Sequence, residues 1–463
     1  TDGERYWDRS NRFFTKKIDS KLDNSQLTIE HICNIVITKR HIYITGVRLM
    51  FDFLMTPEQL ALRDEAREMA KWVPRQYILD MDADKIKFPK EFLQECGRRN
   101  LLGLRLPKKY GGRGLGWVED TLVAEEICVP GYAFGCVWGV GADIVCDAIC
   151  NFGSEEMKEK YVVPLLKGEK FAAECLTEPR GGSDFFGATT TAVEDGDYYI
   201  LNGQKRFIVG GEGADFFLVY AKTDPQGPPH KSMTCFIVDR DAGVKVEYLY
   251  GLMGCRGGGT ARLVFEDVRV PKSNILGQVN GAVEVFYPMM IPERLGTAAM
   301  TIGAVRPALE IATDYTSRRK AFGTKIKNFQ AVSFKIAEAV TKLDTSRAMI
   351  YCTARAIDAG VHPSRARRMV SEAKKFVTEQ CWDVVNLCMQ VMGGIGYTDV
   401  YPIEKILRDM RLSMIWVGTN EIMSLITQHE WYKERQKEIA NSNKRDSELD
   451  CVNAFAEDEK IFE

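Results

Sequence analysis

Glu293 lies between Tyr287-Pro288-Met289-Met290-Ile291 and the mostly apolar stretch from Leu295 to Met300. That is a poor home for a solvated carboxylate, and desolvation there raises a carboxyl pKa toward the range of a base working near neutrality. The plainer reading is a structural pair with Arg294, or an exposed glutamate in a first helical turn opened by Pro292. Asp143 poses the same question within the apolar stretch Val137 to Cys150, where a buried hydrogen bond is the commoner reason for a carboxylate. A third stretch, Cys175-Leu176-Thr177-Glu178-Pro179-Arg180-Gly181-Gly182-Ser183-Asp184-Phe185-Phe186-Gly187, packs small, hydroxylated and glycine positions together. It lets backbone N–H groups approach a planar or phosphorylated ligand and offers hydroxyls at Thr177 and Ser183; the alternative is a Gly-rich surface turn. Arg319-Lys320-Ala321-Phe322-Gly323, followed by Phe329-Gln330, presents at Arg319 a planar donor fork suited to phosphate, or else a basic helix end favoured by its dipole. Gln390-Val391-Met392-Gly393-Gly394-Ile395-Gly396-Tyr397 adds a glycine cluster. It is not a dinucleotide-binding GxGxxG, because no strand precedes it and no βαβ unit surrounds it.

The elements that must carry these residues change character along the chain. With 463 residues, more than one core is expected. Residues 1–49 form an extension, with Ile35-Val36-Ile37 and Ile42-Tyr43-Ile44 reading as a disordered arm or a marginal hairpin. Residues 50–170 are helical, opened by Thr56 as N-cap, Pro57 at the first position and an acidic first turn. Ser154 to Tyr161 reads as an exposed helix held by Met157 and Tyr161. Residues 171–280 read as short strands: Tyr198 to Leu201 before a tight turn at Asn202-Gly203, then Phe216 to Ala221 and Thr234 to Val238, with a proline-rich loop between the last two. Residues 281–436 return to helix, with periodicity over Val305–Arg319 and Gln330–Ala359. Residues 437–463 are a polar tail. The fold class is therefore α+β: an N-terminal helical domain, a middle antiparallel β-domain and a C-terminal helical bundle.

Taken in order, the 175–187, 319–330 and 390–409 segments resemble the acyl-CoA dehydrogenase family, and the likeness covers about residues 51–435. The resemblance implies a flavin laid at the junction of the three domains. It assigns Leu176 and Thr177 to the flavin pyrimidine edge, Ser183 to the cofactor region and the substrate's CoA portion, Arg319, Phe322 and Gln330 to the FAD diphosphate region, and Gln390 and Gly394 to the adenosine part. Thr419 and Glu421 also face FAD. Because the family arginine reaches the FAD of a neighbouring subunit, a homotetramer or homodimer is implied, with electron-transfer flavoprotein as electron partner. Family members open near a segment like the one starting at Met50, so the alternative reading of residues 1–49 is non-native upstream sequence. Two departures lie near the flavin: Phe207 stands where tryptophan is common and still walls the ring, while Val209 replaces a threonine and cannot donate from its side chain. Val400 departs from an acidic or amide position.

The family reaction removes an α-proton from an acyl-CoA thioester while the β-hydrogen leaves as hydride. Most members place the base directly before a Gly-Thr, where this chain has Val417-Gly418-Thr419. Valine cannot take a proton, although its backbone N–H can still donate to the thioester carbonyl, and Gly418 neighbours the same substrate position. A minority branch, including isovaleryl-CoA dehydrogenase and crotonobetainyl-CoA reductase, carries the glutamate on a helix of the C-terminal domain. Glu293 falls on that place and Arg294 on the adjacent family arginine; Asp143 is the reserve base. Cys136, Trp138 and Val140 fall on the acyl-pocket floor, which points to a short, branched or cyclic acyl group. The expected function is FAD-dependent α,β-dehydrogenation of an acyl-CoA to the trans-2-enoyl-CoA, in fatty acid metabolism. The alternatives are an enoyl-CoA reductase running the reverse reaction, or a partner subunit that has lost its base and only binds flavin or acyl-CoA. A third and weaker reading is an oxygen-using member of the family.

Composition narrows the field further. Lys+Arg of 62 against Asp+Glu of 64 leaves a net charge of −2, which gives no electrostatic footprint for nucleic acid or an anionic membrane. The 13 cysteines form no CxxC pair and the 5 histidines are far apart, so no metal site is expected. Scattered thiols in apolar stretches point to a reducing, cytoplasmic compartment. No uninterrupted apolar run long enough for a membrane span appears.

Overall fold

The computed structural model describes residues 51–441; the extension before them and the chain from 442 onward lie outside the described residues. Contacts divide the chain into Thr1–Met55 and Thr56–Glu463. In the first unit Asp52–Leu54 form one 3-10 turn. All that follows concerns the second.

The second unit opens as its sequence dictates. Helix α1 (Pro57–Trp72) is capped at Thr56, whose Oγ1 accepts from the Gln59 N–H at 3.2 Å while Gln59 Oε1 accepts from the Thr56 N–H at 3.0 Å. This reciprocal pair satisfies two of the donors that a helix start leaves free. Short helices α2 (Arg75–Asp82) and α3 (Lys90–Arg98) lead to α4 (Trp117–Ile127) and α5 (Tyr132–Phe152). By length and composition α5 is apolar enough to cross a membrane, yet 89% of that window is buried inside the protein, as in a core helix. Its middle, Val140–Cys146, is wound as π-helix. Residues 155–166 form α6, held by buried Met157 and Tyr161.

The strands follow: β1 (Ala172–Cys175), β2 (Thr191–Asp195), β3 (Tyr198–Ile208), β4 (Phe216–Lys222), β5 (Met233–Asp239), β6 (Lys245–Leu249), β7 (Ala261–Pro271) and β8 (Ile275–Leu276). They form one sheet ordered β6-β7-β3-β2-β4-β5-β8, with β1 on β4. Pairing is antiparallel except for β1 with β4 and a single β2–β4 step. A wholly antiparallel sheet was expected; β1 can run parallel because the β2–β3 hairpin supplies the long connection that parallel neighbours need. The expected turn at Asn202-Gly203 does not form: β3 runs straight through it, and Asn202 faces a bulge in β7, where Glu266 and Asp267 stand opposite one residue. The Asn202 amide braces the bulge: Nδ2 donates to Asp267 Oδ1 at 3.0 Å and Oδ1 accepts from the Asp267 N–H at 2.9 Å, tying the extra β7 residue to β3. Phe217, Val219, Phe236, Leu263 and Phe265 fill the sheet's core.

The last part is helical: α7 (Ala282–Arg318), α8 (Gln330–Asp358), α9 (Pro363–Met392), α10 (Ile403–Ser413) and α11 (Asn420–Asn441). Helix α9 packs on α7, α8 and α11, and α7 packs on α4. Helix α7 begins at Ala282 and contains Pro288, Pro292 and Pro307. Pro292 therefore does not open the helix, and Glu293 is not a first-turn residue. Packing on both sides outweighs the hydrogen bonds each proline removes. Helix α11 runs past 437, where the tail was expected to begin.

Candidate active site

Helix α7 carries Glu293, Gly296, Thr297 and Met300 at three- and four-residue spacing, on one face. That face meets Cys136, Trp138, Asp143 and Ile144 of α5 and Trp416-Val417 of the loop after α10. Together they line one narrow cleft. Both carboxylates singled out from the sequence thus line one cavity, beside Val417 and the expected pocket floor. The floor is fixed: the Trp138 indole is 1% exposed and its Nε1 donates to the Leu101 carbonyl at 2.7 Å.

Glu293 Oε2 is shut off from solvent and has no hydrogen-bond partner. Burial pushes the Glu293 carboxyl well above the usual range; nearby Glu174 adds to the rise, while Arg294 and Lys374 oppose it. The structural pair with Arg294 does not form. Consecutive helical residues point to different faces, and Arg294 Nη1 donates to Ser371 Oγ at 3.4 Å instead. Asp143 is 6% exposed and its carboxyl makes no side-chain hydrogen bond. Burial, then the charge of Asp120, raises its pKa well above the ordinary value.

The loop facing Glu293 is strained. Val417 has φ +60° and Gly418 φ +79°, and left-handed backbone is rare for a β-branched residue. The Val417 N–H has no backbone partner, so it is available to a ligand. Lys374, fully buried on α9, holds the loop by donating to the Gly418 carbonyl and to Asn420 Oδ1, both at 2.9 Å.

On the β-domain side, the Gly- and hydroxyl-rich segment is clamped rather than loose. Lys205 Nζ bonds Glu178 Oε1 at 2.8 Å with both side chains wholly buried, and also donates to the carbonyls of Leu176 (3.3 Å) and Tyr220 (2.7 Å). Glu178 in turn accepts from the Thr190 N–H at 3.1 Å and from Thr189. The Arg206 N–H donates to the Thr177 carbonyl at 2.9 Å. Leu176 and Thr177 are half-buried and Ser183 is exposed. Phe207 has φ +59°, leaves 48% of its surface open and packs on Tyr250 at 4.7 Å. Arg206 Nε is buried without a partner, and its guanidinium lies 5.0 Å from the Phe207 ring. An open aromatic face, an unpaired cationic donor and a pinned backbone segment fit a flat, anionic cofactor such as FAD.

Other expected cofactor residues are not brought to the cleft. Arg319, Gln330, Gln390, Gly394 and Glu421 are exposed, Thr419 is half-buried, and Phe322 is 96% exposed. A side chain added at Gly393 or Gly394 would meet no atom within 4 Å, so that backbone is open to a partner. Val209 lies behind Trp138 and Val140, in a separate cavity.

Three residues escaped the sequence reading: Glu174, Lys205 and Lys374. Glu174 gives the same signal as Glu293, a carboxylate inside an apolar run (Phe171 to Leu176). Lys374 stands among Val370, Ala373 and Val377 on the buried face of α9.

Three family descriptions match the chain: acyl-CoA dehydrogenase N-terminal domain over residues 56–169, middle domain over 173–268 and C-terminal domain over 284–430. The chain is 35% identical over 375 residues to a 3-(aryl)acrylate reductase of Clostridium sporogenes, covering 80% of this chain and 97% of that one. It is 34% identical to the Caffeyl-CoA reductase-Etf complex subunit CarC of Acetobacterium woodii, covering 79% and 96%. The solved butyryl-CoA dehydrogenase of Megasphaera elsdenii superposes with a TM-score of 0.78 at 29% identity, over 82% of this chain and 99% of that one.

Proposed function

Since the chain belongs to the acyl-CoA dehydrogenase family, an FAD-dependent oxidoreductase family, we propose that it interconverts an acyl-CoA and its trans-2-enoyl-CoA with Glu293 as the proton-transferring group. The observation that carries this reading is the unpartnered Glu293 Oε2 facing the same cleft as Val417. Glu293 takes the α-proton, and its raised pKa matches it to that weak acid better than an ordinary carboxylate. The Val417 N–H, held by the loop that Lys374 anchors, donates to the thioester carbonyl and stabilises enolate-like charge. FAD, held by Leu176, Thr177, Phe207 and Arg206, supplies the acceptor for the β-hydrogen when bound. Ser183 serves the CoA side of the substrate, whereas Arg294, buried and turned to Ser371 of α9, takes no part in binding it.

The exposed Arg319, Phe322 and Gln330 support a homo-oligomer in which a second copy covers them. Electron-transfer flavoprotein is the proposed redox partner, in keeping with the Etf complex named for one relative. The reverse, enoyl-reducing direction is favoured by two relatives named as reductases and by Glu293 itself: a carboxyl held neutral by burial is a ready proton donor.

The test is anaerobic titration of the FAD-loaded protein with straight, branched, cyclic and aryl acyl-CoA thioesters. Bleaching by one of them is expected, and Glu293→Gln should stay folded and yellow while turnover falls about 10²–10⁴-fold. Spectral perturbation without bleaching by any thioester would mark a binding subunit, and full turnover of Glu293→Gln would remove the assigned role.

A further inference from the structure

Apart from Glu293, the cleft has three polar groups that nothing in the protein satisfies. Thr297, 1% exposed, has a buried Oγ1 with no partner. The Trp416 Nε1 is likewise buried and unpaired. The Asp143 carboxyl, 6% exposed, has no side-chain hydrogen bond. All three line the same cavity. Buried polar groups are ordinarily paired, because leaving one dry forfeits the bonds it made with water. A plain alkyl chain entering this cleft would leave all three unpaired.

We propose, building on the function above, that the acyl group carries an uncharged oxygen function, a hydroxyl or a carbonyl, beyond the reacting carbons, and that Asp143, Thr297 and Trp416 bind it. The chemistry of the three groups selects this class. The indole N–H only donates, so the ligand must present an acceptor, which excludes an ammonium. No Lys or Arg lines the cleft, and two carboxyl groups do, which argues against an anionic acyl tail. Asp143, kept neutral by burial, donates through its own O–H. Thr297 can donate or accept, so it completes a hydroxyl or a carbonyl equally well.

The experiment uses FAD-loaded protein and matched thioesters: phenylpropionyl-CoA against its para-hydroxyl derivative, and valeryl-CoA against its γ-hydroxy and γ-oxo derivatives. Affinity is read by calorimetry and reactivity by anaerobic flavin bleaching. In at least one pair the oxygenated member is expected to bind about tenfold or more tightly, the scale of one good hydrogen bond. Thr297→Val and Asp143→Leu should each shrink that ratio, while Asp143→Asn, which keeps a donor, should restore most of it. Equal or better binding of the plain member in every pair overturns the proposal. So does loss of turnover on every thioester in Asp143→Asn, which would make Asp143 the proton acceptor. If plain thioesters bleach the flavin without any preference, only this inference falls; if none bleaches it, the dehydrogenase reading falls with it.

Discussion

The Lys374 amine lies 2.9 Å from the Gly418 carbonyl, so a buried cation on α9 fixes the strained turn that carries Val417. Its pKa is lowered to about 7 by burial, with Arg294 adding to the effect.

Replacing this amine tests the anchoring directly. Lys374→Met leaves the Gly418 carbonyl and Asn420 without their donor and frees the turn. The expected result is a fall of about tenfold or more in kcat/KM, since a misplaced carbonyl donor weakens transition-state binding. The pH dependence of stability has a definite sign. Between about 7 and the ordinary 10.5 the unfolded chain holds a proton that the folded amine has lost. Stability contributed here therefore rises with pH across that window, and urea titrations of Lys374→Met should show the rise reduced.

Glu174 tunes Glu293 from the sheet. Its Oε1 accepts from the Tyr220 hydroxyl at 3.2 Å, burial raises its pKa to about 7, and it is the leading charged contributor to the rise at Glu293. Glu174→Gln removes the like charge, so Glu293 should ionise at lower pH. The acid limb of the kcat/KM profile is expected to move down, with a severalfold gain in rate near pH 6. An unmoved limb would show that the two carboxyls do not communicate.

The Lys205–Glu178 pair clamps the segment proposed to hold the flavin. Lys205→Met strands a buried carboxylate and should cost about 3–5 kcal/mol in urea unfolding. Adding Glu178→Gln should recover part of that loss, because the stranded charge is gone. FAD affinity should drop in both variants as Leu176 and Thr177 lose their support.

Gly296 sets the breadth of the cleft. A Cβ added there meets no atom within 4 Å, and the residue lines the cavity on the Glu293 face. Gly296→Val should leave thermal stability within about 1 kcal/mol of the parent, valine being the better helix former. KM for branched or aryl thioesters should climb about tenfold or more while short straight chains change less. Equal effects on both would place the acyl group elsewhere.

Local chemistry was readable in advance where it depended on neighbours in sequence. The Thr56 cap and the buried Met157 and Tyr161 needed only spacing, and Glu293 betrayed itself by its apolar flanks. Features set by distant partners were not readable. Asn202-Gly203 has the composition of a hairpin turn, and only its pairing with Asp267 in the β7 bulge keeps it inside a strand. The proline-bearing start of α7 is helical because of what packs on it, not because of propensity. Lys374 and Gly418 are 44 residues apart, so no local pattern links them.

The wide-wound stretch Val140–Cys146 in α5 has a consequence for how such a protein can diverge. A π turn holds one residue more than the α-helix around it. Losing a single codon just before Asp143 would let the helix tighten and swing this acid by about 100° relative to the preceding turns. A new neighbour would then face the acyl chain, with the rest of the scaffold left in place.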